Sequence, residues 1–378
     1  LYVANKRTTI PAVTVFFVFF WFFIFHAGWT GVVHNVSGDE PHYLMMADSI
    51  VNDLDLNLYN QYQSNAYSEY YYGELQPKPS DQVSRGVVYS RGLGATFPLI
   101  ISPFYMLAGY AGVKLFMVFC SAMLIFQLYL LLKPVFNSSE SVLLAAGIVG
   151  ITLPVAGYSF MVYPDIIGGL LIVCALRLLQ IKPLTRRGRS VPSLIVFICI
   201  VLIFMKFRYF VPATLLLAPL FQKKHRNRKT LPTLILAILF LGGLYFYVDH
   251  VVLSGDLFAH RFGGIQKLQR YLPDWNSLKV LPGLLFDQES GILFYAPVYL
   301  LAIGGYRLYS GRKSSLFWFA SLGTPLTALS LLGHFAWHCL PTPPLRYLLP
   351  VLPPIALFLV PVFNKFEDRS RLFQSLLY

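Results

Sequence analysis

Apolar residues in this chain fall into long blocks rather than the short alternating runs of strands. The blocks lie at 10–28, 97–108, 113–132, 141–158, 163–181, 191–206, 209–221, 231–253, 291–309, 315–333 and 347–363, and they carry few charges. Several reach the roughly 18–20 residues that a helix needs to cross about 30 Å of hydrocarbon. The pattern predicts an all-α polytopic membrane protein, one integral domain over 1–378 with about ten transmembrane helices. FPLIISPFYMLAG, 97–109, is short and proline-bearing, and reads as a partial or interfacial helix feeding the full span 113–132. The block 209–221 is also short, with Pro212 and Pro219 inside it. The first block is too long for a cleaved signal peptide, and SGDEPHYL follows it rather than a small-residue cleavage site. The chain opens on Leu1 rather than Met and stops mid-pattern at FQSLLY, so a piece of a longer protein is expected.

Composition agrees with the pattern. Of 378 residues, 56% are hydrophobic and 12% charged, against about a quarter charged in soluble domains. The net charge of +13 would suggest nucleic acid in a soluble domain. Here 18 of the 30 Lys and Arg sit in short linkers between apolar blocks, such as KPLTRRGR at 182–189 and KKHRNRK at 223–229. That is the positive-inside distribution, and no nucleic-acid partner is expected. Basic linkers on the cytoplasmic side put residues 29–96, 254–290 and 334–346 outside. Tyr163 to Asp165 and Lys206 to Arg208 fall on the same outer side. The four cysteines are scattered without metal-ligand spacing and read as small core residues.

The first external loop, 29–96, is the longest hydrophilic stretch and holds 8 of the 17 acidic residues. Loops this long in compact proteins are usually functional or disordered, and its aromatic content argues against disorder. At its start, SGDEPHYLMMADSI places Asp39 and Glu40 where the chain has just left the first apolar block. Over 41–54, Tyr43, Ala47, Ile50, Val51 and Leu54 recur at helical spacing, with Asp48, Asn52 and Asp53 opposite. That is the pattern of a helix lying in the membrane interface. Pro41 suits a first helical turn and Asp39 suits an N-cap. One reading is therefore structural: Asp39 caps and Glu40 is a solvated first-turn acid. The other is a general base held ionised at a helix N-terminus, at the boundary of lipid and water.

A first span followed by Gly38-Asp39-Glu40-Pro41-x-Tyr43 and an interfacial helix resembles the GT-C glycosyltransferases. These polytopic enzymes use polyprenyl-phosphate-linked sugars and include protein O-mannosyltransferases and aminoarabinose transferases. The likeness continues in order. GLGATFPLIISPFYMLAG at 92–109 is similar to the family's Gly/Pro segment before its second span. MVYPDIIGGLLI at 161–172 resembles its Tyr-Pro-acid motif. LLFDQESGILFYAPVYLLAIGG at 284–305 and PLRYLLPVLPPIAL at 344–357 resemble its late loops.

The resemblance implies transfer of a sugar from a polyprenyl-phosphate donor to a glycan, lipid or protein acceptor. The site would face the non-cytoplasmic side of a bacterial or archaeal plasma membrane. The family's base falls on Asp39, and Glu40 matches the second acid; whether Glu40 shares the work, orients Asp39 or holds a metal stays open. A departing phosphate needs fixed positive partners, which arginine supplies best. The external candidates are Arg85, Arg91, Lys206, Arg208, His260, Arg261 and Arg346, each of which also fits a boundary residue snorkelling toward head groups. Asp165 either pairs with one of these cations, lines the acceptor cavity, or serves the helix start. His42 and Tyr43, next along the motif, with Tyr163 and Tyr347, complete the substrate-binding candidates. A divalent cation, Mg or Mn, bridging Asp39, Glu40 and phosphate is compatible with the family; no other cofactor is implied. His334 and His338 in HFAWH lack the Glu of the zinc-protease pattern. The alternative to a transferase is a lipid-linked sugar flippase or another polytopic transporter.

Overall fold

A computed structural model describes residues 12–31, 36–78, 81–90, 93–181, 190–221, 243, 279–332 and 342–376. The expected all-α class holds: among the described residues the only sheet is the hairpin β1 (Gln82–Ser84) and β2 (Val87–Tyr89). The helices are α1 (Ala12–Gly31), α2 (Glu40–Asn52), α3 (Tyr59–Gln63), α4 (Thr96–Leu132), α5 (Ser139–Ile151), α6 (Val155–Tyr158), α7 (Pro164–Leu179), α8 (Val191–Met205) and α9 (Phe210–Leu217). After the undescribed stretch come α10 (Val280–Phe286), α11 (Ile292–Tyr295), α12 (Leu301–Leu308), α13 (Ser315–Ser330) and α14 (Ala356–Leu376). The expected block 231–253, apart from residue 243, lies outside the described residues, as do most of the loop 254–290 and the pair His334 and His338.

Two helices, with apolar stretches Ala12–Trp29 and Thr96–Leu132, are long and apolar enough to cross a membrane; α5, α8 and Phe210–Leu220 are shorter apolar helices. α1 shows how such a helix divides its surface. Val15, Phe19 and Phe23, one helical turn apart, are buried against the body, while Val13, Phe17, Trp21, Phe25 and Trp29 repeat at the same spacing on the exposed face. Both stripes are apolar, so nothing in the sequence of α1 assigns a water-facing side.

α4 is two helices joined at a break. Ala108 (φ −155°, ψ 31°) and Gly109 (φ 55°, ψ −143°) leave helical geometry. On an unbroken helix twelve residues span about 18 Å, yet the rings of Phe104 and Phe116 stack with centroids 3.8 Å apart. The chain therefore doubles back, and 97–109 is the separate partial helix that its prolines predict. α4 packs against α1, α2 and α7 and is the hub of the body.

Differences from the expected blocks trace to proline and glycine. Pro154 splits 141–158 into α5 and α6. Pro353 and Pro354 hold the start of 347–363 in 3₁₀ turns, so the regular helix begins only at Ala356 and continues to Leu376. α2 differs in burial. Its residues from Glu40 through Ala47 are buried on every side, and only the last turn keeps the two-faced character expected of an interfacial helix. It is embedded against α4 rather than lying on a surface.

The backbone at Gly109 lies in a region essentially reserved for glycine, although a Cβ there would meet nothing within 4 Å. Gly109→Ala should destabilise by about 1–3 kcal/mol through strain alone. Gly147→Ala, inside α5 with only an ordinary contact to Phe19, should be neutral or stabilise by up to about 1 kcal/mol. Thermal unfolding of the two variants, with opposite signs expected, checks this.

Candidate functional site

The residues that the sequence singles out in four separate segments meet where α2 and α7 begin and α8 ends. Each arrives through an irregular piece of backbone. Gly38 adopts φ +61°, and a Cβ on it would stand 2.6 Å from the Tyr163 hydroxyl. That glycine lets the phenol close over the turn: Tyr163 donates to the Ser37 carbonyl at 3.0 Å and accepts from the Asp39 amide at 3.3 Å. Asp39 itself is not the capping group expected of it. Its backbone is helical (φ −88°, ψ −14°) and its carboxylate makes no capping bond. A capping side chain works from extended backbone, and here two cations take the carboxylate instead.

Those cations are Lys78, whose ammonium donates to Oδ1, and Arg346, whose Nη2 lies 3.2 Å from Oδ2. The same guanidinium donates through Nε to Oδ2 of Asp165 at 3.1 Å. Asp165, in the first turn of α7, also accepts from Arg208 and, at 2.8 Å, from the Tyr209 hydroxyl. Arg346 lies 3.8 Å above the Tyr163 ring and Arg208 lies 4.5 Å above that of Tyr347. The Lys206 ammonium stands 5.4 Å from the Tyr43 ring centroid and within electrostatic reach of Asp39. Even without Lys206, three cations face two carboxylates, and the Arg208 Nε is buried with no hydrogen-bond partner. The Asp39 side chain is 28% exposed and that of Asp165 is 0% exposed, so Asp39 is the acid that a ligand can meet.

Glu40 goes elsewhere. Successive helix residues project about 100° apart, so the two adjacent acids diverge. Glu40 is fully buried; its carboxylate accepts from the Val162 amide at 3.2 Å and interacts with Lys114 of α4. It fastens α2 to the segment leading into α7. A divalent ion bridging the pair would need converging oxygens, and these do not converge. No group of three or more His, Cys, Asp or Glu suited to a metal occurs among the described residues. As placed, the two carboxylates are taken by different partners rather than turned toward one ion.

His42 is buried, with Nδ1 3.0 Å from the Tyr62 hydroxyl. Tyr43 is fully buried, edge-on to Phe97 and Tyr163. Arg85 sits exposed at the hairpin turn and takes no part in the cluster's contacts. Arg91, His260 and Arg261 lie outside the described residues. The sequence reading omits Lys78, Tyr209 and Tyr62. Lys78 had a signal: it is the single lysine in 29–96, flanked by Pro77 and Pro79.

Electrostatics follow from this geometry. Burial alone would raise the pKa of Asp39, but Lys78 and Arg346, with Lys206 behind them, outweigh it and hold the carboxyl well below the usual range. Burial pushes His42 down to about 3, helped by Lys78 and opposed by Asp39. No family model matches the chain, and neither does any curated protein or solved structure.

The His42 shift fixes a sign. A neutral, buried imidazole stabilises the fold fully above its ordinary pKa of 6.5, and the contribution falls as pH drops from there toward about 3. The contribution of Asp39 is lost only below its ordinary 3.8. Unfolding free energy should therefore be about 2 kcal/mol lower at pH 5 than at pH 7 on account of His42, and His42→Gln, compared over the same two pH values, should remove most of that difference.

Proposed function

We propose that the chain is a GT-C-like membrane glycosyltransferase that moves a sugar from a polyprenyl-phosphate donor to an acceptor, with Asp39 as general base. The observation that carries this reading is the partly exposed, ionised Asp39 set against an excess of fixed positive charge. The reaction calls for those two groups side by side: a base for the acceptor and cations for the departing phosphate.

Two further observations support it. The outward stripe of α1, from Val13 to Trp29, is an apolar surface of the kind that lipid covers and water does not tolerate at such size. On the proposed topology of about ten crossings, the basic linkers put residues 29–96, Tyr163 to Asp165, Lys206 to Arg208 and 334–346 on one side of the membrane. All four contribute to the cluster, as a single non-cytoplasmic site requires.

In this mechanism the acceptor hydroxyl or amine gives its proton to a carboxylate oxygen of Asp39. Its lone pair forms the new bond to the anomeric carbon as the bond from that carbon to the phosphate oxygen breaks. The electron pair leaves with the phosphate, whose added charge is met by Arg346 and Arg208, with Lys206 nearby. Asp165 and Tyr209 never touch substrate; they fix the two guanidinium groups. Glu40 holds α2 in place and is not the base.

Asp39→Asn keeps the shape of the side chain and removes its charge. Sugar transfer, assayed with a polyprenyl-phosphate sugar in proteoliposomes, should fall by about 10²–10⁴-fold, while retention of undecaprenyl phosphate stays within a few fold. Undiminished transfer would overturn the role of Asp39. Loss of donor translocation with transfer chemistry intact would favour a flippase.

A further inference from the structure

A base gripped by two cations is a poor base. Asp39 spends both of its oxygens on Lys78 and Arg346, and a carboxylate so held has little affinity for an acceptor's proton. The two grips differ in kind. Arg346 is anchored independently: its Nε is bonded to the fully buried Asp165 at 3.1 Å and its face covers Tyr163. Only its Nη2 reaches Asp39. Lys78 holds the other oxygen, Oδ1, and its side chain is 21% exposed. Among the described residues its ammonium bonds to Asp39 alone, and it rides a long, flexible stem.

We infer that Lys78 is a positioning residue that clamps Asp39 until a donor arrives, then transfers its ammonium from the Asp39 carboxylate to the donor phosphate. Arg346 turns its Nη2 the same way while Asp165 holds its Nε. The exchange removes positive charge from Asp39 and sets an anion beside it, so the carboxylate becomes basic only when the leaving group is in place. Proton removal from the acceptor is thereby tied to donor binding, and the donor binds before the base is active. The inference rests on the transferase reading above. It goes beyond that reading in assigning Lys78 a role and the reaction an order.

The groups facing Asp39 from every packed element are Lys78, Arg346, Lys206, His42, Tyr43 and the Tyr163 phenol. Of these, Lys78 bonds the Asp39 carboxylate directly and lies outside the buried Asp165 network.

The test is the titration of Asp39 itself. Protein carrying ¹³Cγ-aspartate, in nanodiscs, gives an Asp39 resonance identified by its absence in Asp39→Asn. Alone, that resonance should stay at the ionised position to the acid limit of the fold. With saturating undecaprenyl phosphate its midpoint should rise by at least one pH unit, a tenfold gain in proton affinity; undecaprenol, which lacks the phosphate, should leave it unmoved. Lys78→Met should raise the midpoint without any lipid, and Lys78→Arg should restore the clamp, which separates lost charge from lost folding. The ³¹P signal of the lipid reports binding separately. If undecaprenyl phosphate binds and the Asp39 midpoint does not move, the exchange is overturned and the transferase reading stands. If it does not bind, both fall.

Discussion

One guanidinium holds the site together. Arg346 joins Asp39, at the start of α2 and 307 residues before it, to Asp165, at the start of α7 and 181 residues before it. Taking such charges out of water costs several kcal/mol per ion, and the cost is recovered only where geometry and extra hydrogen bonds are good. Here the extra partners are present. Tyr209 and Arg208 complete Asp165, and the Tyr163 ring lies beneath the guanidinium. The arrangement is poor value as stability alone, since apolar residues of like volume would pack as well. It makes sense where a localised surplus of positive charge is needed at a fixed place.

The surplus was partly legible in the sequence. Arg346, Arg208, Asp165 and Asp39 could each be picked from their places at the edges of apolar blocks, because a charge there is expensive unless it is used. Their pairing was not legible, since contacts between residues so far apart leave no local period. Lys78 was missed for a related reason: it sits outside every block, and only its isolation between two prolines distinguishes it. Adjacent spelling misled in the opposite direction. Asp39 and Glu40 read as a pair, but the helical turn between them sends one to the cation cluster and the other to the Val162 amide.

The fold divides the same way. Long apolar blocks gave helices close to their expected limits, as at α7 and α8, since periodicity and length suffice to call them. Burial around α2 was invisible, because its polar last turn suggested a two-faced helix while tertiary packing covers the first two turns on all sides. The break in α4 was legible from its prolines and glycines, but not the reversal that stacks Phe104 on Phe116.

Irregular backbone brings several of the charges to the site. Gly38 and Leu345 both take left-handed φ values, 61° and 65°, and Arg208 and Arg346 each ride a 3₁₀ turn. Regular helices satisfy their own backbone and space their side chains evenly, so they cannot crowd five charged groups into one place. In a protein embedded in lipid, non-helical backbone is tolerated only where protein or water-filled space surrounds it. On the proposed membrane reading, polar turns and cationic side chains share a reason to collect outside the hydrocarbon. The proposed donor, with an apolar tail and a charged head, would call on both an apolar surface such as the exposed stripe of α1 and the positive cluster. A soluble sugar phosphate would need the charge and not the stripe, and it is the combination that favours a lipid-linked donor.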